Sequence, residues 1–262
     1  MAASADALLW SASRSLTALQ AWLQARQQGV NAWQRVGRAQ LVLRELGLHP
    51  VSFHAPFAER IDITSFNKTV RDAAVHELLR ACEAAALLGC TYVVLHPGPE
   101  REGRPPEADF LQHMHHAAES LNLVAARCCE LGVQLLLENM LAHLLCGHVR
   151  DMMYLLGEIS TCNVGTCLDT GHAHLARELG LVIQKLSGHL KLVHINDNRG
   201  DWDAHLPPGE GTIDFPTGAY MVYTKSLETL FKKSVNPLKV ARDAAKAQGA
   251  EFHVMLRPAG WV

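Results

Sequence analysis

Short apolar runs alternate along this chain with longer stretches whose apolar positions recur every third or fourth residue. The runs predict strands and the stretches predict amphipathic helices. "ALLWSAS" (7–13), "VNAWQ" (30–34), "PVSFHA" (50–55), "TYVVLHPG" (91–98), "VQLLLEN" (133–139), "NVGTCLD" (163–169) and "LKLVHIND" (190–197) read as strands. Between them 15–29, 35–47, 67–89, 108–132, 149–159 and 173–188 read as helices, several closed by a glycine. Strands separated by helices cannot pair as hairpins, so the sheet should be parallel. Seven strand–helix units in series approach the eight that close a barrel. The expected fold class is therefore α/β, a (β/α)8 TIM barrel. No glycine-rich phosphate loop follows the first strand, which argues against a dinucleotide-binding fold. The pattern loosens near the end: 207–224 reads as loop, 225–249 as helix broken at Pro237, and 219–223 competes with 250–256 for the eighth strand. We expect a single domain over 1–262, irregular at its C-terminal strand, with 218–262 fitting poorly.

In such barrels the chemistry sits at the C-terminal ends of the strands. Here those ends read, in order, His54, His96, Glu138, Asp169 with His172 just beyond, and His194 with Asp197. Asp203 and His205 follow in "DWDAHLPPGEG". Each such group is costly to bury alone. Converging carboxylates repel one another unless a cation lies among them. Mixed imidazole and carboxylate ligation suits Zn²⁺, Mn²⁺, Fe²⁺ or Co²⁺, so the strand ends predict a divalent metal site. Other histidines get a plainer reading. His113, His115 and His116 lie within a helix and are expected at the surface, and His174 should turn away with the helix it begins. His76, His143, His148, His189 and His253 belong to no constellation.

Composition narrows the partners. Of 262 residues 48% are hydrophobic and 19% charged, and the net charge is −2, which argues against a dedicated nucleic-acid surface. Seven cysteines, an odd number without a Cys-x-x-Cys pair, predict buried free thiols and a reducing, cytoplasmic setting. The first residues lack the basic start and long apolar run of a signal peptide, and no membrane partner is expected. A homo-oligomer is compatible with the sequence.

"SFHAPF", "VVLHPGP", "LLLENM", "CLDTGHAHLA" and "LVHINDNRGDWDAHLPPGEGTIDF" resemble, in order and spacing, the xylose isomerase-like TIM barrels. That superfamily includes sugar phosphate isomerases and epimerases and the endonuclease IV family of apurinic-site nucleases. The likeness covers roughly residues 48 to 216. It implies that Glu138, Asp169 and His194 hold one divalent ion (Mn, Mg, Co or Zn). In the nuclease members the further zinc ligands would fall on His54, His96, His172, Asp203 and His205. The resemblance also implies a final glutamate on the last strand, both ligand and catalytic carboxylate; here "HVMLRPAG" puts Arg257 near that place.

The expected function is a metal-dependent isomerase or epimerase of a small sugar or sugar phosphate. Glu138 would be the catalytic base, with His172 or Asp197 standing in for the absent glutamate. Two alternatives stay open: a zinc-dependent apurinic-site endonuclease, and a degenerate barrel that binds metal or sugar without turnover.

Overall fold

The structure is a computed structural model that describes residues 32–100, 103–160, 164–214 and 255–256. One compact unit takes in Val51–Phe215 and Met255–Val262, the other Met1–Pro50 and Pro216–Val254. Within the second of these, helix α1 (Ala32–Leu46) ends at Gly47, whose φ of 62° lets the chain turn off. The strand expected at 30–34 is therefore incorrect from Ala32 onward. Trp33 suggested a strand by composition, but the helical apolar spacing of the following residues extends back through it.

The larger unit runs β1 (Ser52–His54), α2 (Lys68–Leu88), β2 (Tyr92–Leu95), α3 (Glu107–Leu131), β3 (Gln134–Glu138), α4 (Val149–Glu158), β4 (Val164–Asp169), α5 (Thr170–Leu175), α6 (Leu179–Leu186), β5 (Leu190–His194) and β6 (Met255–Leu256). All strand pairs are parallel, in the order β5-β4-β3-β2-β1-β6. The alternation of strand and helix thus yields a half-barrel of parallel strands backed by helices. β3 is buried at every position but Gln134, as a parallel strand covered on both faces must be.

The helices start and stop where local chemistry requires. Asn67 caps α2 by accepting from the Thr69 amide at 3.0 Å, and Gly89 ends it at φ 80°. Gly132 ends α3 in the same left-handed conformation. Buried Ala74, Leu78, Ala81, Cys82 and Ala85 form one face of α2, spaced three or four residues apart. Small side chains there bring α2 against α3, and the Cys82 and Cys128 sulfurs lie 3.3 Å apart.

Two expectations are corrected, at 173–188 and at His113, and the strand read within 250–256 is met in part. The stretch 173–188 is two helices, because Arg177 at φ 56° breaks it. Met255–Leu256 is a strand, and it pairs with β1 through Ser52 and Phe53. Among the described residues its only pairing is with β1. His113 is buried, its Nδ1 2.9 Å from the Thr64 carbonyl and its ring stacked 4.5 Å from Phe66. The segments 7–13, 15–29 and 219–249 lie outside the described residues. Among the described residues no helix is long and apolar enough to cross a membrane.

Candidate active site

Alternate residues of a strand share a face. His54, His96, Glu138, Asp169 and His194 all fall in the phase that points into the half-barrel, at its C-terminal rim. The residues two positions earlier on three of these strands, Val94, Leu136 and Cys167, pack together as an apolar floor. The polar strand ends thus stand above an apolar floor.

Glu138 is the hub. Its Oε1 lies 2.8 Å from His194 Nδ1, and its Oε2 2.9 Å from His54 Nε2 and 3.5 Å from His96 Nε2. The carboxylate is fully buried. Burial alone would raise its pKa, but the bonds to His194, His54 and His96 outweigh that and hold it well below the usual carboxylate range. Burial lowers the pKa of His54 despite the pull of Glu138, so its ring is neutral at neutral pH. Burial also opposes protonation of His96, but the nearby carboxylates of Glu100 (3.1 Å) and Glu138 win and raise it.

These contacts test whether a cation fits. His54 Nδ1 is 2.8 Å from the Ala55 carbonyl, which can only accept, so Nδ1 carries the proton. With Nδ1 protonated, Nε2 bonds Glu138 Oε2 at 2.9 Å only by carrying a second ring proton, a charge that burial resists. A divalent cation in place of that proton removes the conflict. His194 Nε2 is buried without a hydrogen-bond partner. The nitrogen opposite a carboxylate-bound Nδ1 is the usual metal-binding atom of an oriented histidine. Ligand atoms of His54, His96 and Glu138 lie within 4.8 Å of one another, as do those of Glu138, Cys167 and His194. The residues fit a divalent ion.

Asp169, His172 and His205 form another such group. The structure thus gathers Asp169 with these histidines and Glu138 with His194. His172 Nδ1 lies 2.8 Å from the Asn139 carbonyl, and Nε2 faces Asp203 at 3.4 Å. Burial disfavours its charged form, but Asp203, Asp169 and Glu138 raise its pKa to about 9. His205 Nδ1 lies 3.3 Å from the same Asp203 carboxylate. All eight predicted residues therefore stand at one end of the sheet.

Asparagines unmarked by the sequence reading hold this ring. Asn139 spans β3 and β4: its Oδ1 accepts from the Asp169 amide at 2.8 Å and its Nδ2 donates to the Asp169 carbonyl at 3.1 Å. Asn196 Nδ2 donates to Asp169 Oδ2 at 2.8 Å, while the His172 amide donates to Asp169 Oδ1 at 2.9 Å. A side chain at Gly171 would strike Asn196, which explains the glycine in "DTGH". His174 is no ring member; its Nε2 meets Thr212 Oγ1 at 2.8 Å on the outer loop. Asp197 is fully buried and accepts four backbone N–H groups, so it is not the stand-in base expected from sequence.

The ring opens into a cavity of 780 Å³. Its wall includes Phe57, His96, His143 and His172 and the carboxylates of Glu59, Glu100 and Asp203. Nothing in the sequence singles out His143, Glu59 or Glu100, because each reaches the cavity from a loop.

Comparison with known proteins identifies the family of the fold. The xylose isomerase-like TIM barrel family model matches residues 25–225. A probable endonuclease 4 of Mycobacterium leprae (strain Br4923) is 32% identical over 176 residues, covering 63% of this chain and 65% of that protein. The chain thus spans somewhat under two thirds of that relative's length. A Thermus thermophilus protein, solved after soaking with ZnCl2, is 30% identical with a TM-score of 0.55, covering 66% of this chain and 68% of that one. A D-tagatose 3-epimerase-like protein shares the fold at a TM-score of 0.63 and 22% identity, over 85% of this chain and 75% of its own. This chain belongs to the xylose isomerase-like TIM barrel family.

Proposed function

We propose that this protein is a metal-dependent isomerase or epimerase of a small, unphosphorylated sugar. The observation that carries the reading is the pairing of a buried, ionised Glu138 among three histidines with a cavity edged by Glu59, Glu100 and Asp203. Those carboxylates repel a phosphoryl group and accept hydrogen bonds from sugar hydroxyls. Phe57 offers an apolar face to a pyranose or open-chain carbon skeleton. Solved epimerases among the fold neighbours are consistent with this substrate class.

His54, His96, Glu138 and His194 would hold the ion, with Asp169, His172, Asp203 and His205 beside them. A bound divalent cation supplies Lewis-acid polarisation of a carbonyl oxygen. The chain's own part is proton transfer and orientation. Both oxygens of Glu138 are engaged by histidines, so we assign it the ligand role expected from sequence and move the base role outward. Asp203 stands on the cavity wall beside His172 and can take a proton from the carbon next to a carbonyl and return it to the neighbouring carbon. The test is deuterium uptake from D2O by unphosphorylated ketoses in the presence of Mn²⁺ or Zn²⁺. Exchange should occur and fall on the order of 100-fold or more in Asp203→Asn. Equal exchange in both proteins would sink the assignment.

A second reading, a zinc-dependent nuclease acting at abasic sites, is favoured by one observation. The Asp169–His172–His205 group adjoins the Glu138 group, and relatives include the endonuclease 4 protein. Incision of an abasic-site oligonucleotide without any sugar exchange would establish it in place of the first.

A further inference from the structure

Asp203 and His205 are delivered to the cavity by a loop, not by a strand. Such a loop needs an anchor if its side chains are to meet His172 in one geometry. Asp197 occupies both sides of it. Its backbone pairs with Leu206, the neighbour of His205, through two hydrogen bonds of 2.8 Å. Its carboxylate gathers the far side: Oδ1 accepts from the amides of Asn198 (2.8 Å) and Ile213 (3.1 Å), Oδ2 from those of Gly209 (2.9 Å) and Gly211 (3.0 Å). A side chain at Gly211 would strike Asp197 and the Asn198 carbonyl. Thr212 closes the ring from outside, its amide donating to the Asn198 carbonyl at 2.8 Å and its hydroxyl meeting His174. Directly before the fixed Leu206 stands His205 at φ 46°, a left-handed conformation unusual for a side-chain-bearing residue and held only by its surroundings.

We propose that Asp197 is the positioning residue of this arm: it holds Asp203 and His205 against His172, and completion of that ligand group depends on its carboxylate. The inference rests on the reading that the barrel mouth takes divalent cations, and adds to the ion at the Glu138 group a second at the Asp169–His172–His205 group. Four donors converge on two oxygens, so replacing one oxygen by an amide nitrogen puts a donor against two donors. Asp197→Asn keeps the side chain's size and breaks half of the anchor. The arm loosens while β3, β4 and β5, and with them Glu138 and His194, stay in place.

The experiment is titration of the metal-free full chain with Zn²⁺ alone, followed by calorimetry, with Co²⁺ absorption as the spectroscopic check. Glu138→Gln identifies the ion held by the hub, and His205→Ala the ion held by the arm. Asp197→Asn should weaken the His205-dependent ion about 10- to 100-fold and change its Co²⁺ bands, while the Glu138-dependent ion keeps its affinity within about twofold. Three results overturn the proposal. Asp197→Asn binds both ions like the parent; or His205→Ala removes no ion, in which case the hub and the reading above still stand; or Asp197→Asn loses its fold, since the carboxylate would then support the domain and not the arm. If Glu138→Gln alone leaves zinc binding unchanged, the cation reading of the hub fails, separately from the arm.

Discussion

Asn196 shows how much of the site depends on residues that never face the cavity. Its side-chain amide donates to Asp169 Oδ2 and its backbone amide binds the Thr170 hydroxyl at 3.0 Å, so one residue aims the carboxylate and ties β4 to the loop after β5. Asn196→Ala should weaken zinc binding about 10- to 100-fold, because partners of ligands tune affinity by that much. Equilibrium dialysis against Zn²⁺ measures it, and an unchanged affinity would remove Asn196 from the design. At this scale the sequence revealed the ring and concealed its supports. His54, Glu138 and Asp169 stood out because charge at the end of an apolar strand has no packing explanation. Asn139 and Asn196 did not, since a polar neutral residue after a strand also suits an ordinary turn. His113 misled for a related reason: its partner Thr64 is 49 positions away, and nothing in the helix spacing reports it.

Among the elements, α4 and α6 illustrate a contact that decides a boundary. α4 begins at Val149 without a side-chain cap from its own preceding residue. Glu178, at the break before α6, caps it instead: Oε2 accepts from the Val149 amide at 3.0 Å and Oε1 lies 2.9 Å from His148. Burial would raise the pKa of Glu178, but the Val149 amide and His148 lower it overall. A carboxylate so depressed stabilises the fold fully above its ordinary pKa of 4.5, and the contribution fades as pH falls through its lower folded value. Glu178→Gln should therefore melt below the parent at pH 7, by about 0.3–1 kcal/mol, the usual worth of a charge at a helix N-terminus. The gap should close below pH 4.5, where thermal melts at stepped pH will show it. This cap also explains why 173–188 looked continuous. The apolar spacing fits one helix, whereas the break at Arg177 answers to a partner 29 residues away from Glu178. The strands β2 to β4 and the helices between them were legible because burial on both faces leaves long apolar runs that helical spacing cannot imitate.

For the molecule as a whole, binding at the mouth should feed back on stability. The ring draws on β1, β3, β4 and β5 and the loops after them, so a cation there ties together strands distant in sequence. At zinc about 100 times its dissociation constant the gain is about 2.7 kcal/mol. For a chain of this size that is a rise of roughly 5–10 °C in Tm, reversed by a chelator. Scanning fluorimetry with and without Zn²⁺ checks it. The register of β6 against β1 was not legible, because two residues, Met255 and Leu256, carry no pattern that chooses between one sheet edge and the other. The sulfur pair between α2 and α3 bears on how any such melt must be run. Cys82 and Cys128 are fully shielded and 3.3 Å apart, and their mutual contact followed by burial holds the Cys128 proton on, so oxidants find no thiolate at Cys128 in the folded state. Unfolding removes both protections at once and frees six described cysteines together. Without reductant, heating therefore becomes a one-way journey into scrambled covalent products, and cooling recovers the starting material only when the thiols are kept as thiols.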